Sequence, residues 1–113
     1  MMLVTDAMSL AATEQTQMPF FDTKIIREGD KLTTPDGTLA GSCLTMDAAV
    51  RNTVNWCGIS LADAVKMASE TPANMLGLLG QYGVIAEGAS ADLLVLDDAC
   101  NITHIWQRGV PAN

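Results

Sequence analysis

The residue in this chain best placed to do chemistry is a carboxylate at the end of an apolar run. Met1-Met2-Leu3-Val4-Thr5 leads directly into Asp6. An apolar run without polar alternation suits a strand buried on both faces. Asp6 would then stand at the strand's C-terminal end, the edge where parallel α/β barrels collect catalytic side chains. A carboxylate held there by a rigid strand could still reach a site above it. The plainer alternative is an Asp that caps a turn or a following helix. A second segment of note is Thr38-Leu39-Ala40-Gly41-Ser42, where Ala and Gly side by side let the backbone closely approach either a ligand or merely another strand. His104 is the chain's one histidine. A metal site needs several converging ligands, and no partner stands at suitable spacing, so His104 reads as a strand residue.

Composition narrows the classes. The chain is 49% hydrophobic and 17% charged, which argues for a folded core over disorder. A formal charge of −7 with no basic cluster argues against nucleic-acid or anionic-membrane partners. Cys43, Cys57 and Cys100 show no CxxC spacing, which gives no zinc pattern or disulfide framework and implies a reducing, cytoplasmic setting. The N-terminus lacks the positive region of a signal peptide, and no segment reaches the roughly 18 apolar residues of a membrane span. A buried-type strand at residue 1 has nothing before it to pair with, which implies a chain that begins inside a larger fold.

The elements around these residues follow from period and punctuation. Residues 7–19 have no clean period and end in Pro19, which reads as a loop over the mouth of a site. Phe20 to Leu32 reads as two short strands about the turn Glu28-Gly29-Asp30, and Pro35-Asp36-Gly37 is a second turn. Together they form a β-hairpin excursion at about residues 20–34. Met46, Ala49, Val50, Val54 and Cys57 recur at helical spacing, with Thr45 as N-cap and Gly58 at the end. Ser60 caps a second helix with Asp63 three residues on, and Leu61, Ala64, Val65 and Ala68 form its inner face. Thr71-Pro72 opens a third, short helix. Three strands are expected beyond it, at Gly83–Glu87, Ala91–Asp97 and Asn101–Gly109. The order predicts an α/β fold: the C-terminal end of a barrel over residues 1–80, then strands of a small β layer over residues 81–113.

Two patterns carry a resemblance. Gly83-Val84-Ile85-Ala86-Glu87-Gly88 with Ala91-Asp92-Leu93-Leu94-Val95-Leu96-Asp97 resembles the tail of the amidohydrolase superfamily. Leu3–Met8, Pro35–Ser42 with Leu44-Thr45-Met46, and Ala49-Val50-Arg51-Asn52 resemble, in order and spacing, the N-acetylglucosamine-6-phosphate deacetylase family. That resemblance implies a last TIM-barrel strand ending in catalytic Asp6 and a substrate loop matching Leu39, Ala40 and Gly41. It implies that the closing strands belong to a small β-sandwich. It also implies a divalent metal, zinc or similar, whose ligands lie outside this chain, an amino-sugar phosphate substrate and a homo-oligomer when complete. The chain alone is expected to be inactive. Prolines and glycines are usual in the family after the catalytic aspartate, where this sequence has Ser9-Leu10-Ala11-Ala12. Two other readings remain: an amidohydrolase acting on a cyclic amide, and a non-catalytic fragment or interaction module.

Overall fold

The computed structural model describes residues 1–112, which divide into two compact units. One spans Val4–Met46, and the other joins Met1–Leu3 to the chain from Asp47 onward.

The first unit is a four-stranded antiparallel meander in sequence order: β1 (Gln17–Phe20), β2 (Thr23–Glu28), β3 (Lys31–Thr33) and β4 (Leu39–Ser42). The two strands expected between Phe20 and Leu32 about the Glu28-Gly29-Asp30 turn form as β2 and β3, and β1 is a further strand that begins inside the stretch read as a loop. The chain reverses at Phe21, whose φ of 49° and 92% exposure mark it as a turn residue, not a strand interior. The ambiguity at Leu39–Ser42 resolves as a strand, paired with β3. Its turn is built as the Pro-Asp-Gly signal requires. Thr34 N–H donates to the Thr38 carbonyl at 2.9 Å, and the Asp36 carboxylate accepts from the Thr34 hydroxyl and the Thr38 N–H. Alternation puts Ile25 and Arg27 on one face of β2, and Leu32 and Gly41 are their cross-strand continuation through β3 and β4. On that face Ile25 and Leu32 are fully buried with Leu10, and Met8, Met18, Ala40 and Cys43 close around them.

Met1–Asp6 do not form the expected strand. Met1 is 96% exposed, Leu3 N–H donates to the Met67 carbonyl at 2.9 Å, and strand pairing begins only at Ala7, in an isolated parallel bridge to Ser42. Sheet structure requires a partner for each backbone group, and among the described residues the apolar run has no ladder.

The second unit carries α1 (Met46–Cys57), α2 (Leu61–Ala68) and α3 (Glu70–Met75), then a three-stranded antiparallel sheet of β5 (Leu93–Leu96), β6 (Ile102–Gln107) and β7 (Val110–Ala112). The Ser60 hydroxyl caps α2 by accepting from Asp63 N–H at 3.1 Å. The buried stripe of α1 is Ala49, Val50 and Thr53; Met46 and Cys57, expected on it, are exposed. Thr53 tolerates burial because its hydroxyl donates to the Ala49 carbonyl at 2.8 Å. Of the expected inner face of α2 only Ala64 is buried.

No strand forms at Gly83–Glu87. Gly83, at φ 81°, lies so close to the end of α2 and α3 that a Cβ would stand 2.7 Å from both the Ser69 carbonyl oxygen and the Ala73 Cβ. The glycine serves close approach to a helix, which diverts the backbone from a ladder. Gly83→Ala is therefore expected to destabilise the protein by more than about 1 kcal/mol, read as a lowered urea midpoint. An unchanged midpoint would contradict the close approach.

Two aspartates brace the last sheet. Asp92 accepts from the Ser90 hydroxyl and the Arg108 N–H, and Asp97 accepts from Asn101 N–H and Nδ2 and from Ala99 N–H. The Ser90 hydroxyl and Arg108 N–H hold the Asp92 carboxyl below its ordinary value, and the Asn101 donors do the same for Asp97. Both are exposed, so solvent screens their contribution. A carboxyl with a lowered folded pKa adds stability above its unfolded pKa, and that stability is lost as pH falls through the lowered value. The Asn101 amide should thus stay protected through the ordinary aspartate range and open only in stronger acid. In Asp97→Ala it should exchange rapidly at every pH, as followed by nuclear magnetic resonance.

Candidate functional site

Asp6 and the Leu39–Gly41 segment lie far apart in sequence, and backbone hydrogen bonds bring them together. Ser42 N–H donates to the Asp6 carbonyl at 3.2 Å, and Met8 N–H donates to the Ser42 carbonyl at 3.0 Å. These two bonds flank the Ala7–Ser42 bridge. Asp6 itself has φ 51°, a left-handed conformation that Asp tolerates better than most residues but at a cost of about 1 kcal/mol or more. The clamp of Ser42 on both sides holds that conformation. The Asp6 side chain is exposed.

Gly41 leaves room for the Met8 side chain at this crossing. A Cβ on it would stand 2.7 Å from Met8 Cγ and 2.8 Å from Met8 Sδ. The close backbone approach read from Ala40-Gly41 is therefore an approach to the segment that carries Asp6. A β-bulge shapes the other two candidates. Leu32 pairs with Gly41 and Thr33 with Leu39, which leaves Ala40 as the extra residue on β4. Ala40 turns toward the Leu10–Ile25–Leu32 core, while Leu39 points outward at 71% exposure. An exposed apolar residue and open backbone beside a carboxylate form a surface that could meet a polar ligand with an apolar edge.

The loop after Asp6 is fixed at two further points that sequence reasoning did not single out. Leu10 is only 1% exposed and completes the core of the meander. One Arg27 nitrogen, Nη1, donates to the Thr13 carbonyl at 2.7 Å and to the Leu10 carbonyl at 3.3 Å. The available signal was the alternation Ile25-x-Arg27, which puts a cation on an otherwise apolar face.

The remaining candidates have structural partners. Arg51 Nη1 donates to the Cys100 carbonyl and to Asn101 Oδ1, both at 3.1 Å, and so braces a loop. His104 is exposed on β6, with Nδ1 3.2 Å from the Thr103 hydroxyl. Among the described residues no group of three or more His, Cys, Asp or Glu side chains converges. These residues do not fit a metal ion by themselves. The three cysteines are free, and Cys57, expected on the apolar stripe of α1, is exposed.

The contact of Gly41 with Met8 gives a quantitative test. Gly41→Ala should cost about 1–3 kcal/mol by forcing Met8 from its seat. In a Met8→Ala background the same change should cost under about 0.5 kcal/mol, as measured by urea unfolding in a double-mutant cycle. Equal costs in both backgrounds would mean that the two residues do not meet.

The chain is similar to known proteins. The chain is 45% identical over 109 residues to the N-acetylgalactosamine-6-phosphate deacetylase of Shewanella sp. (strain ANA-3), covering 96% of this chain and 27% of that protein. It is 31% identical to the N-acetylglucosamine-6-phosphate deacetylase of Vibrio furnissii, with the same coverage of 96% and 27%. The crystal structure of N-acetylglucosamine-6-phosphate deacetylase from Pasteurella multocida superposes with a TM-score of 0.91 at 27% identity, covering 98% of this chain and 29% of that one. The chain thus spans little more than a quarter of the length of each of these three proteins. The model of the amidohydrolase family matches residues 1–112, and the chain belongs to that family.

Proposed function

We propose that this chain is the C-terminal part of an N-acetylhexosamine-6-phosphate deacetylase, which hydrolyses the acetamide to the free amino-sugar phosphate and acetate. The observation that carries this reading is the clamp of Asp6 onto the Leu39–Ser42 strand. A proton-transferring carboxylate and a substrate-facing backbone are thereby held in one piece. Asp6 takes a proton from the attacking water and delivers one to the departing nitrogen, because an amine leaves poorly unprotonated. Leu39, Ala40 and Gly41 offer backbone hydrogen bonds and an apolar edge to the sugar.

The sequence motifs point to N-acetylglucosamine 6-phosphate as substrate and glucosamine 6-phosphate as product, within amino-sugar breakdown in the cytoplasm. N-acetylgalactosamine 6-phosphate is a second reading, favoured by the 45% identity to the Shewanella enzyme against 31% to the Vibrio one. In this proposal residues 1–80 complete a (β/α)8 barrel and residues 81–113 supply strands of a small β-sandwich. Large apolar side chains left exposed, Trp56, Ile85 and Val110 among them, support a chain that is covered elsewhere in the whole protein. A divalent metal, if the whole enzyme uses one, takes its ligands from residues other than these. Assembly into a homo-oligomer belongs to the same proposal.

The test is to express the longest reading frame containing residues 1–113 and measure acetate release from both epimeric sugar phosphates. Asp6→Asn is expected to lower kcat by roughly a hundredfold to ten-thousandfold with the fold intact. Full activity in Asp6→Asn would remove Asp6 from the chemistry. A wild type that hydrolyses neither sugar phosphate but opens a cyclic amide would replace the substrate class.

A further inference from the structure

We propose that Arg27 is a positioning residue for Asp6, acting through the loop of residues 8–13; the inference rests on Asp6 being the proton-transferring group. The Arg27 side chain extends along the inward face of β2, beside buried Ile25 and opposite Leu32. Its Nη1 bridges the Leu10 and Thr13 carbonyls, and its Nε donates to the Gly29 carbonyl at 3.0 Å. Arg27 is half-buried, and among the described residues no carboxylate pairs with its guanidinium. Its fixed, planar set of donors is therefore spent on backbone carbonyls.

The target of that grip is the loop that leaves Asp6. Met8 accepts from Ala11 N–H at 2.9 Å and Thr13 donates its hydroxyl to the Leu10 carbonyl at 3.0 Å, so residues 8–13 form a closed turn. Two anchors hold this turn on the sheet, Leu10 in the core and Arg27 on the carbonyls. Met8, at its near end, is seated on Gly41 and bonded to Ser42. Asp6 lies two residues before Met8 with a left-handed backbone. Releasing the turn frees Met8, loosens the Ser42 clamp and lets Asp6 relax toward ordinary φ. The apolar residues Leu10-Ala11-Ala12 can make no side-chain hydrogen bonds, and beside the Thr13 hydroxyl it is the arginine that reaches from the sheet to hold the turn's carbonyls.

The experiment uses the whole protein expressed from that reading frame, with Arg27→Met, Arg27→Gln and Arg27→Lys. Arg27→Met should lower kcat by roughly tenfold or more while KM changes little, since a misplaced proton-transfer group harms the reacting geometry more than binding. Arg27→Lys, which keeps one strong donor, should recover part of the loss. Hydrogen exchange should rise at Met8, Ala11 and Ser42 in Arg27→Met, while the β2–β3 ladder stays protected. If Arg27→Met does not fold, Arg27→Gln and Arg27→Lys give the same readouts. Unchanged kcat with only a lowered Tm would overturn the proposal, and so would unchanged exchange at Met8 and Ser42. A wild type inactive on both sugar phosphates would sink the deacetylase reading instead, and the exchange measurement would still decide whether Arg27 holds the loop.

Discussion

The crossing of residues 6–8 over Ser42 is the constraint on which the candidate site depends. Two backbone hydrogen bonds on either side of one residue tie a chain segment with no strand of its own to the last strand of the meander. Such bonds contribute modestly to net stability, but leaving them unmade in a half-buried place is costly. The thioether side chain of Met8 fills the space that a side chain at position 41 would need, so a larger residue there must displace Met8. A left-handed Asp6 follows, because the backbone must turn as it leaves the pairing with Ser42.

The meander supplies the rigidity. Its core is small, with Leu10, Ile25 and Leu32 buried, yet every strand is pinned by its neighbour and by short turns. The bulge at Ala40 breaks strict alternation where it is useful. Ala40 serves the core, Leu39 is released to the surface, and Gly41 keeps its place against Met8. Three consecutive residues thereby take three different jobs. In the other unit the polar side chains mainly bind the chain to itself: Arg51 to the loop at Cys100 and Asn101, Asp92 to Arg108, and Asp97 to Asn101.

Local signals in the sequence were reliable where the chemistry is local. The Ser60 cap, the Pro35-Asp36-Gly37 turn and the last two strands are governed by residues a few positions apart, and they form where the sequence places them. Expectations failed where a distant partner decides. Gly83–Glu87 carries β-like residues but is diverted by the approach of Gly83 to Ser69 and Ala73. Met1–Thr5 has the apolar character of a buried strand, yet a strand exists only through its neighbours. Phe21 looks like a strand residue and is a turn, because the register of β1 on β2 needs a reversal directly after Phe20.

The sequence by itself determined the family, the helical capping, the turns and the candidacy of Asp6 with Leu39, Ala40 and Gly41. These rest on residue types and short spacings that a linear reading preserves. Only the tertiary structure decided that the two candidate segments touch, that Gly41 is small for the sake of Met8, and that Leu10 and Arg27 hold the loop between them. Each of those facts is a contact between residues more than a dozen positions apart. Their physical cause is steric exclusion and carbonyl satisfaction in three dimensions, and neither leaves a periodic mark on the chain.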